Sequence, residues 1–287
     1  MQETLQEIPH VITIASHENG ASRRQTTEEI ARYYSGKGKR VLIVDANNTP
    51  YIPYGDADRK GIGLIELCCQ YLTYVANKTF SGDVMSEADV RTTGDYYAVD
   101  KNIDFLPLAY NKELIENFSW NDFVNNGDYG KYFFAIFMRW LRKDIPEHPT
   151  PSSYDVVLID TQTSAGLLPR AFIPFSDACI FSVSSIKNDI VHAKMYLEKM
   201  YSRITPQSLL NLRRQEKFVL PYLNIENAKT EAWSASVIDK AAWDFFVASF
   251  DGFLPEYTMK EWLSANIEGR KVTAGALMDF LNRNIFL

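Results

Sequence analysis

The chain is built from short, uninterrupted apolar runs, each bounded by polar turn residues and separated by longer stretches of helical period. The runs fall at 11–15, at Val41-Leu42-Ile43-Val44, at 103–108, at Val156-Val157-Leu158-Ile159, at 178–183 and at 218–223. A strand that is apolar at consecutive positions, and not at every second one, is covered on both faces. Such strands pair in parallel, and a parallel pair needs a crossover, usually helical, to carry the chain back. Helical periodicity lies between the runs, at 26–34, 129–142, 189–203 and 231–249, and again at 274–284. The pattern predicts an α/β fold: a mostly parallel twisted sheet with helices on both faces.

Length and composition agree with that. The 287 residues, 46% hydrophobic and 23% charged, suffice for a large core and exclude disordered, collagen-like and coiled-coil chains. We expect a single domain over 1–287, with an irregular, loop-rich segment at 51–127 lying on the sheet's edge. Pro146, Pro149 and Pro151 stiffen the approach to the Val156 run. The three cysteines, two of them adjacent (Cys68, Cys69 and Cys179), make no disulfide framework, and no C-x-x-C pair accompanies them. Buried, reduced thiols are expected. The first ten residues, MQETLQEIPH, lack the basic start and apolar core of a signal peptide, and no run is long enough to span a bilayer. The expected location is the cytoplasm. With 30 Lys+Arg against 36 Asp+Glu, the net charge of −6 argues against a surface that coats nucleic acid.

In an open α/β sheet, ligands bind beyond the carboxyl ends of the strands. Three segments meet that description: the loop after Ala15, the turn after Asp45 and the turn after Asp160. The first reads Ser16-His17-Glu18-Asn19-Gly20-Ala21-Ser22-Arg23-Arg24-Gln25 and opens a helix. From Ile14 through Asp45, without a gap, this region resembles the ParA/MinD family of P-loop ATPases, whose deviant Walker A motif is K-G-G-V-G-K-[ST]-T. Tyr154-Asp155-Val156-Val157-Leu158-Ile159-Asp160-Thr161 is similar to the family's Walker B strand, and Glu268-Gly269-Arg270-Lys271-Val272 to its last turn. Ile103–Pro107 and 118–123 are similar to a less studied branch of that family.

In this register the family's signature lysine falls on Glu18, its Walker A lysine on Arg23, its magnesium-holding hydroxyl on Arg24 and the next threonine on Gln25. Only Gly20 survives of the motif's glycines, and Asn19 and Ser22 replace the others. A P-loop curls backbone N–H groups around phosphates, places an ammonium on the outer oxygens and a hydroxyl on the metal. Arg23 can still meet phosphate through its guanidinium. Arg24 offers no lone pair to Mg²⁺. Shifting the register by one or two residues restores no cation followed by a hydroxyl. The resemblance assigns Asp160 to magnesium, through water, and Asn224 to the base of a nucleotide. The family's second aspartate after the Asp45 strand is Asn47 here, an amide that orients water but is no base.

If a nucleotide is retained, the resemblance gives Gly20, Ser22, Arg23, Asp45, Asp160 and Asn224 as its contacts, with ATP and magnesium as the implied cofactors. Against this stand plain structural roles: Asp45 and Asp160 as turn-capping residues at strand ends, and Arg23 and Arg24 as a solvated pair at a helix start. Two cations there oppose the helix dipole, which points to an anionic partner: phosphate, Glu18 or another carboxylate. Helix 131–143 carries aromatics among Lys131, Arg139, Arg142 and Lys143, and reads either as a stacking surface or as a core helix with a basic outer face. The last helix (Leu277, Met278, Phe280, Leu281, Ile285, Phe286, Leu287) has only Arg283 as a cation on its final stretch, so packing is favoured over peripheral membrane contact. The expectation is a degenerate ParA/MinD-like protein, a pseudo-ATPase that binds or scaffolds a protein partner, with a homodimer as one form. The alternative is a divergent ATPase that positions or partitions DNA or a cellular complex.

Overall fold

A computed structural model describes residues 9–16, 23–47, 60–83, 90, 94–125, 129–142, 154–161, 171–184, 188–195, 218–224, 248, 278–279 and 282–283. These include strands β1 (His10–Ser16), β2 (Val41–Ala46), β3 (Tyr97–Asp100), β4 (Ile103–Leu106), β5 (Val156–Thr161), β6 (Ala178–Ser184) and β7 (Phe218–Asn224). The helices include α1 (Arg23–Gly36), α2 (Leu64–Ser81), α3 (Lys112–Asn117), α4 (Trp120–Asn125) and α5 (Tyr129–Leu141), and residues 188–195, where a helix at 189–203 is expected, are helical too. Each predicted apolar run is a strand, and every described pairing but one is parallel. The chain divides into two compact units, residues 1–11 with 34–161, and 12–33 with 162–287.

In the first unit the strand order is β3-β4-β2-β5. Val41 pairs with Ile103 on one side and with Val156 on the other. All six residues of β2 and all six of β5 are buried, as continuous apolar strands must be. The antiparallel strand is β3, at the sheet's edge, and it turns into β4 through Asn102 at φ 59°. Asparagine tolerates that left-handed geometry better than most residues.

Segment 51–127, expected to hold loops and short helices, contains α2, an 18-residue helix with Leu64, Ile65, Leu67, Cys68, Tyr71 and Val75 buried. Those positions follow helical spacing. The helix begins where Gly63 N–H donates to Glu66 Oε2 (3.1 Å) and stops at Gly82, φ 73°. Only glycine takes that turn without strain. Gly63 is also forced by space: a Cβ there would lie 2.7 Å from Pro107 O and 2.8 Å from Ala109 Cα.

Helix α5 settles the reading of 131–143. Phe133, Phe134, Ile136, Phe137, Met138, Trp140 and Leu141 are buried, while Arg139 is exposed. It is a core helix; Tyr132 is exposed beside Arg139, and the side chains of Lys131 and Lys143 lie outside the described residues. Its rings interlock with those of α2 and α4: Tyr71 on Phe133 (5.3 Å between centroids), Trp120 on Phe134 (6.4 Å) and Phe123 edge-on to Phe133 (5.7 Å). Offset and edge-on pairs of this kind contribute ~0.5–1.5 kcal/mol each beyond area burial.

At the amino ends of β2 and β5 the first unit is clamped by charge. Arg40 N–H donates to Asp155 Oδ2 (2.7 Å), Arg40 Nη2 lies 3.3 Å from Asp104 Oδ2, and Tyr154 O–H donates to the same oxygen (2.6 Å). The Arg40 guanidinium stacks over the Tyr154 ring at 5.0 Å.

The second unit carries the order β1-β6-β7, with Ile12 opposite Ala178 and Ala178 opposite Phe218. In it, α1 presents Arg23, Thr26, Thr27, Ile30 and Ala31 as a buried stripe at helical spacing. The helix begins at Arg23, three residues earlier than its apolar periodicity alone suggests. The described part of the last helix packs inward: Met278 is fully buried, Tyr33 O–H donates to Asp279 Oδ1, and Asn282 Nδ2 donates to Tyr33 Oη (3.5 Å). The rest of that helix and the predicted helix at 231–249, apart from Ala248, lie outside the described residues. No described helix is long and apolar enough to cross a membrane.

Candidate functional site

The candidate residues fall in both units, so each set is described by itself. In the second unit, Ser16 closes β1 and Arg23 opens α1. Arg23 is 6% exposed, and its Nη1 donates to Ser16 Oγ (3.0 Å). The side chain expected at a solvated helix start is instead buried and turned back onto the strand end. A guanidinium cannot shed its charge, so burial obliges it to find hydrogen-bond acceptors.

Arg24 behaves differently. Its Nε lies 3.3 Å from Glu28 Oε1, one helical turn on, and Glu28 Oε2 also meets Arg32 (3.2 Å). Gln25 Nε2 likewise donates to Glu29 Oε1 (3.1 Å). The anion that Arg24 calls for is therefore a carboxylate of its own helix. Both residues form i,i+4 pairs along α1. Thr27 Oγ1 donates to Arg23 O (3.0 Å), so that hydroxyl is also tied to the helix backbone. Glu18, Gly20 and Ser22 lie outside the described residues. Asn224 ends β7, and its side chain lies outside them too.

The first unit holds the carboxylates. Asp45 and Asp160 occupy facing register positions on β2 and β5, with Ala46 opposite Thr161 just beyond. Both are nearly inaccessible, at 4% and 5% exposure. Residues paired across parallel strands ~4.8 Å apart project to the same side of the sheet. The two side chains therefore emerge as neighbours at the carboxyl end of the strands. Asp45 Oδ1 accepts from Asn47 N–H (2.9 Å), a turn closed by the side chain two residues back. Two buried carboxylates side by side repel unless a proton, a cation or donor groups intervene. Among the described residues, no group of three or more His, Cys, Asp or Glu side chains could hold a metal ion.

One organising residue in this unit was not anticipated from the sequence. Glu66 Oε1 accepts from the amides of Tyr110 and Asn111 (both 2.9 Å), while Oε2 takes Gly63 N–H. It ties the start of α2 to the loop that leaves the carboxyl end of β4. Asp95 supports the same loop: its Oδ2 accepts from Ile62 N–H (2.7 Å), and its carbonyl accepts from Tyr110 O–H (2.6 Å). The signal was present as Gly63-x-x-Glu66, a glycine N-cap followed by an acid at the third helical position.

No protein-family model and no characterised protein sequence matches the chain. Solved structures do. Cobyrinic acid a,c-diamide synthase from Mycobacterium smegmatis, solved with bound ADP and magnesium, superimposes with a TM-score of 0.55 at 16% identity, over 94% of this chain and 90% of that one. A plasmid partition protein from Borrelia burgdorferi gives 0.53 at 16% identity, over 96% of this chain and 100% of that one. Likeness of this extent at such low identity is a likeness of fold. The chain has the ParA/MinD-like, P-loop NTPase type of α/β fold.

Proposed function

We propose that the chain keeps this fold without the ordinary Mg-ATP cycle, and works as a binding or scaffolding subunit that positions or regulates a protein partner in the cytoplasm. The observation that carries the reading is how the residues at the altered motif positions are engaged. Arg23 is directed to Ser16, Arg24 to Glu28 and Gln25 to Glu29. The residues at Arg23–Gln25 do not fit Mg-ATP in the P-loop manner. The position after the cation carries a guanidinium paired with a carboxylate, where the metal requires an oxygen donor.

A second reading, a divergent ATPase, is favoured by the juxtaposed Asp45 and Asp160. It also draws on the ADP and magnesium bound by the Mycobacterium synthase. The partition protein of Borrelia adds DNA positioning as a variant, against which the net charge of −6 counts.

Calorimetry with ATP and magnesium, together with phosphate-release kinetics, separates these readings. The scaffolding reading expects no magnesium-dependent binding or turnover, and partner capture by Asp160→Ala equal to wild type. Turnover abolished by Arg23→Ala would refute it in favour of the ATPase. Steeply salt-dependent affinity for arbitrary duplex DNA would refute it in favour of the positioning variant.

A further inference from the structure

Helix α2 runs on past its own support. Its last buried residue is Val75, yet the helix continues through Ser81, a further six residues or about 9 Å at 1.5 Å per residue. Five of those six are exposed, and Phe80 among them is 96% exposed. Most helical stability in a protein comes from a packed face, and this projecting end buries no apolar side chain.

The outer face that leads to Phe80 is also uncharged. No Asp, Glu, Lys or Arg occurs from Leu67 to Asn77, in a chain with 23% charged residues. Thr73, Ala76, Asn77 and Phe80 are all exposed and follow one another at helical spacing. A solvated helix face ordinarily carries charge, whereas a face depleted of charge around an aromatic has the composition of an interface core.

Charge at the tip says what meets it. Lys78 Nζ lies 3.9 Å from Asp83 Oδ2, and the aspartate side chain is 63% exposed. The two residues stand on either side of Phe80 in the chain, one cation and one anion. That doublet is its own complement. A two-fold axis beside Phe80 sets Lys78 of each copy against Asp83 of the other, with the phenyl rings meeting between them. The net charge of −6 sets two copies against each other over the surface as a whole, and a neutral face is where that repulsion is least. One cation balanced by one anion also lacks the Lys/Arg excess of a membrane-binding helix.

We propose that the projecting end of α2 is a self-association site, a two-fold interface in which Phe80 packs on Phe80 of a second copy and the Lys78 and Asp83 side chains pair across the axis. The face is one helix wide, so the interface belongs among small, transient ones, under about 1,200 Å² in total. It holds whichever reading of the altered motif is right, because it uses none of the motif residues.

Sedimentation over a concentration series up to about 1 mM reads the association. Wild type is expected to form dimers and no larger species. Phe80→Lys, whose ammonium suits a helix C-terminus, is expected to weaken the dimer about 30-fold or more while the urea midpoint of the dilute chain stays unchanged. Lys78→Asp and Asp83→Lys each set like charges across the axis, and each alone is expected to lose the dimer. Mixed in equal amounts, the two variants are expected to restore it, with one chain of each kind, since a doubly negative tip then meets a doubly positive one. A wild-type chain that is monomeric throughout overturns the proposal, in favour of a membrane if it floats with vesicles of phosphatidylcholine and phosphatidylserine. A dimer unaffected by Phe80→Lys, or a mixture that stays monomeric, overturns it as well. So does a lowered urea midpoint in Phe80→Lys, which would place the ring's packing inside its own chain.

Discussion

Replacing Glu66 with alanine removes one carboxylate and three hydrogen bonds, two of 2.9 Å to Tyr110 and Asn111 and one of 3.1 Å to Gly63. Hydrogen bonds to a charged group contribute ~1.5–3 kcal/mol each when solvent is excluded. Here the environment discounts them. The bond to Asn111 is exposed, so its amide rehydrates at little cost, while those to Gly63 and Tyr110 are only part-buried and are each assigned ~1 kcal/mol. Loss of a carboxylate from the first turn removes a further ~0.5 kcal/mol of interaction with the helix dipole. Alanine's better helix propensity returns a few tenths. The expected cost is about 2 kcal/mol, or roughly 4–8 °C in Tm for a domain of this size. Glu66→Gln keeps one oxygen for Tyr110 and Asn111 but sets an NH₂ against Gly63 N–H, so its cost is about half as large. Urea unfolding followed by circular dichroism gives both values from the midpoint at constant slope. An alanine variant within about 0.5 kcal/mol of wild type, or a glutamine variant as costly as alanine, would refute the reasoning.

Two further tests address the core. Burial raises the thiols of Cys68 and Cys179 from 9.0 and the phenols of Tyr96 and Tyr154 from 10.0. Above those pH values the unfolded chain releases protons that the folded chain keeps. The stability these groups contribute is therefore complete below about pH 9 and falls as pH rises. Urea midpoints should decline above that point, less steeply in Tyr154→Phe, and a flat profile would count against the burial described. Met278→Ala, at a fully buried position beside the Tyr33–Asp279 contact, should cost about 2–4 kcal/mol by thermal unfolding. A cost near zero would mean that the last helix is free to serve as a membrane or partner surface.

Much of the fold was legible in the chain. Runs such as Val156-Val157-Leu158-Ile159 read as doubly covered strands because they are short, β-branched and bounded by polar residues, and every side chain in them leaves water whichever face it takes. The end of α1 was marked by Gly36-Lys37-Gly38 after the helical run, and Gly38 does take φ 79° there. Helix α2 was harder to read: its buried stripe includes Cys68 and Tyr71, and its start is marked by glycine in place of serine, threonine or aspartate. The unusual cap, set in a segment dominated by Asn, Asp, Gly and Tyr, hid a helix whose stripe is itself apolar.

For the candidate site, the sequence alone determined which residue types stand at the motif positions: Glu18 and Arg24 where the resembling family has a lysine and a hydroxyl. That follows from covalent order. Only the tertiary structure decided where their neighbours point. It directed Arg23 to Ser16, gave Arg24 the carboxylate of Glu28, set Asp45 beside Asp160 across two strands, and gathered three amides onto Glu66. Three of these six contacts, Asp45 with Asp160 and Glu66 with Tyr110 and Asn111, join residues far apart in the chain. Their geometry is set by strand register and helix packing, and no local pattern encodes either.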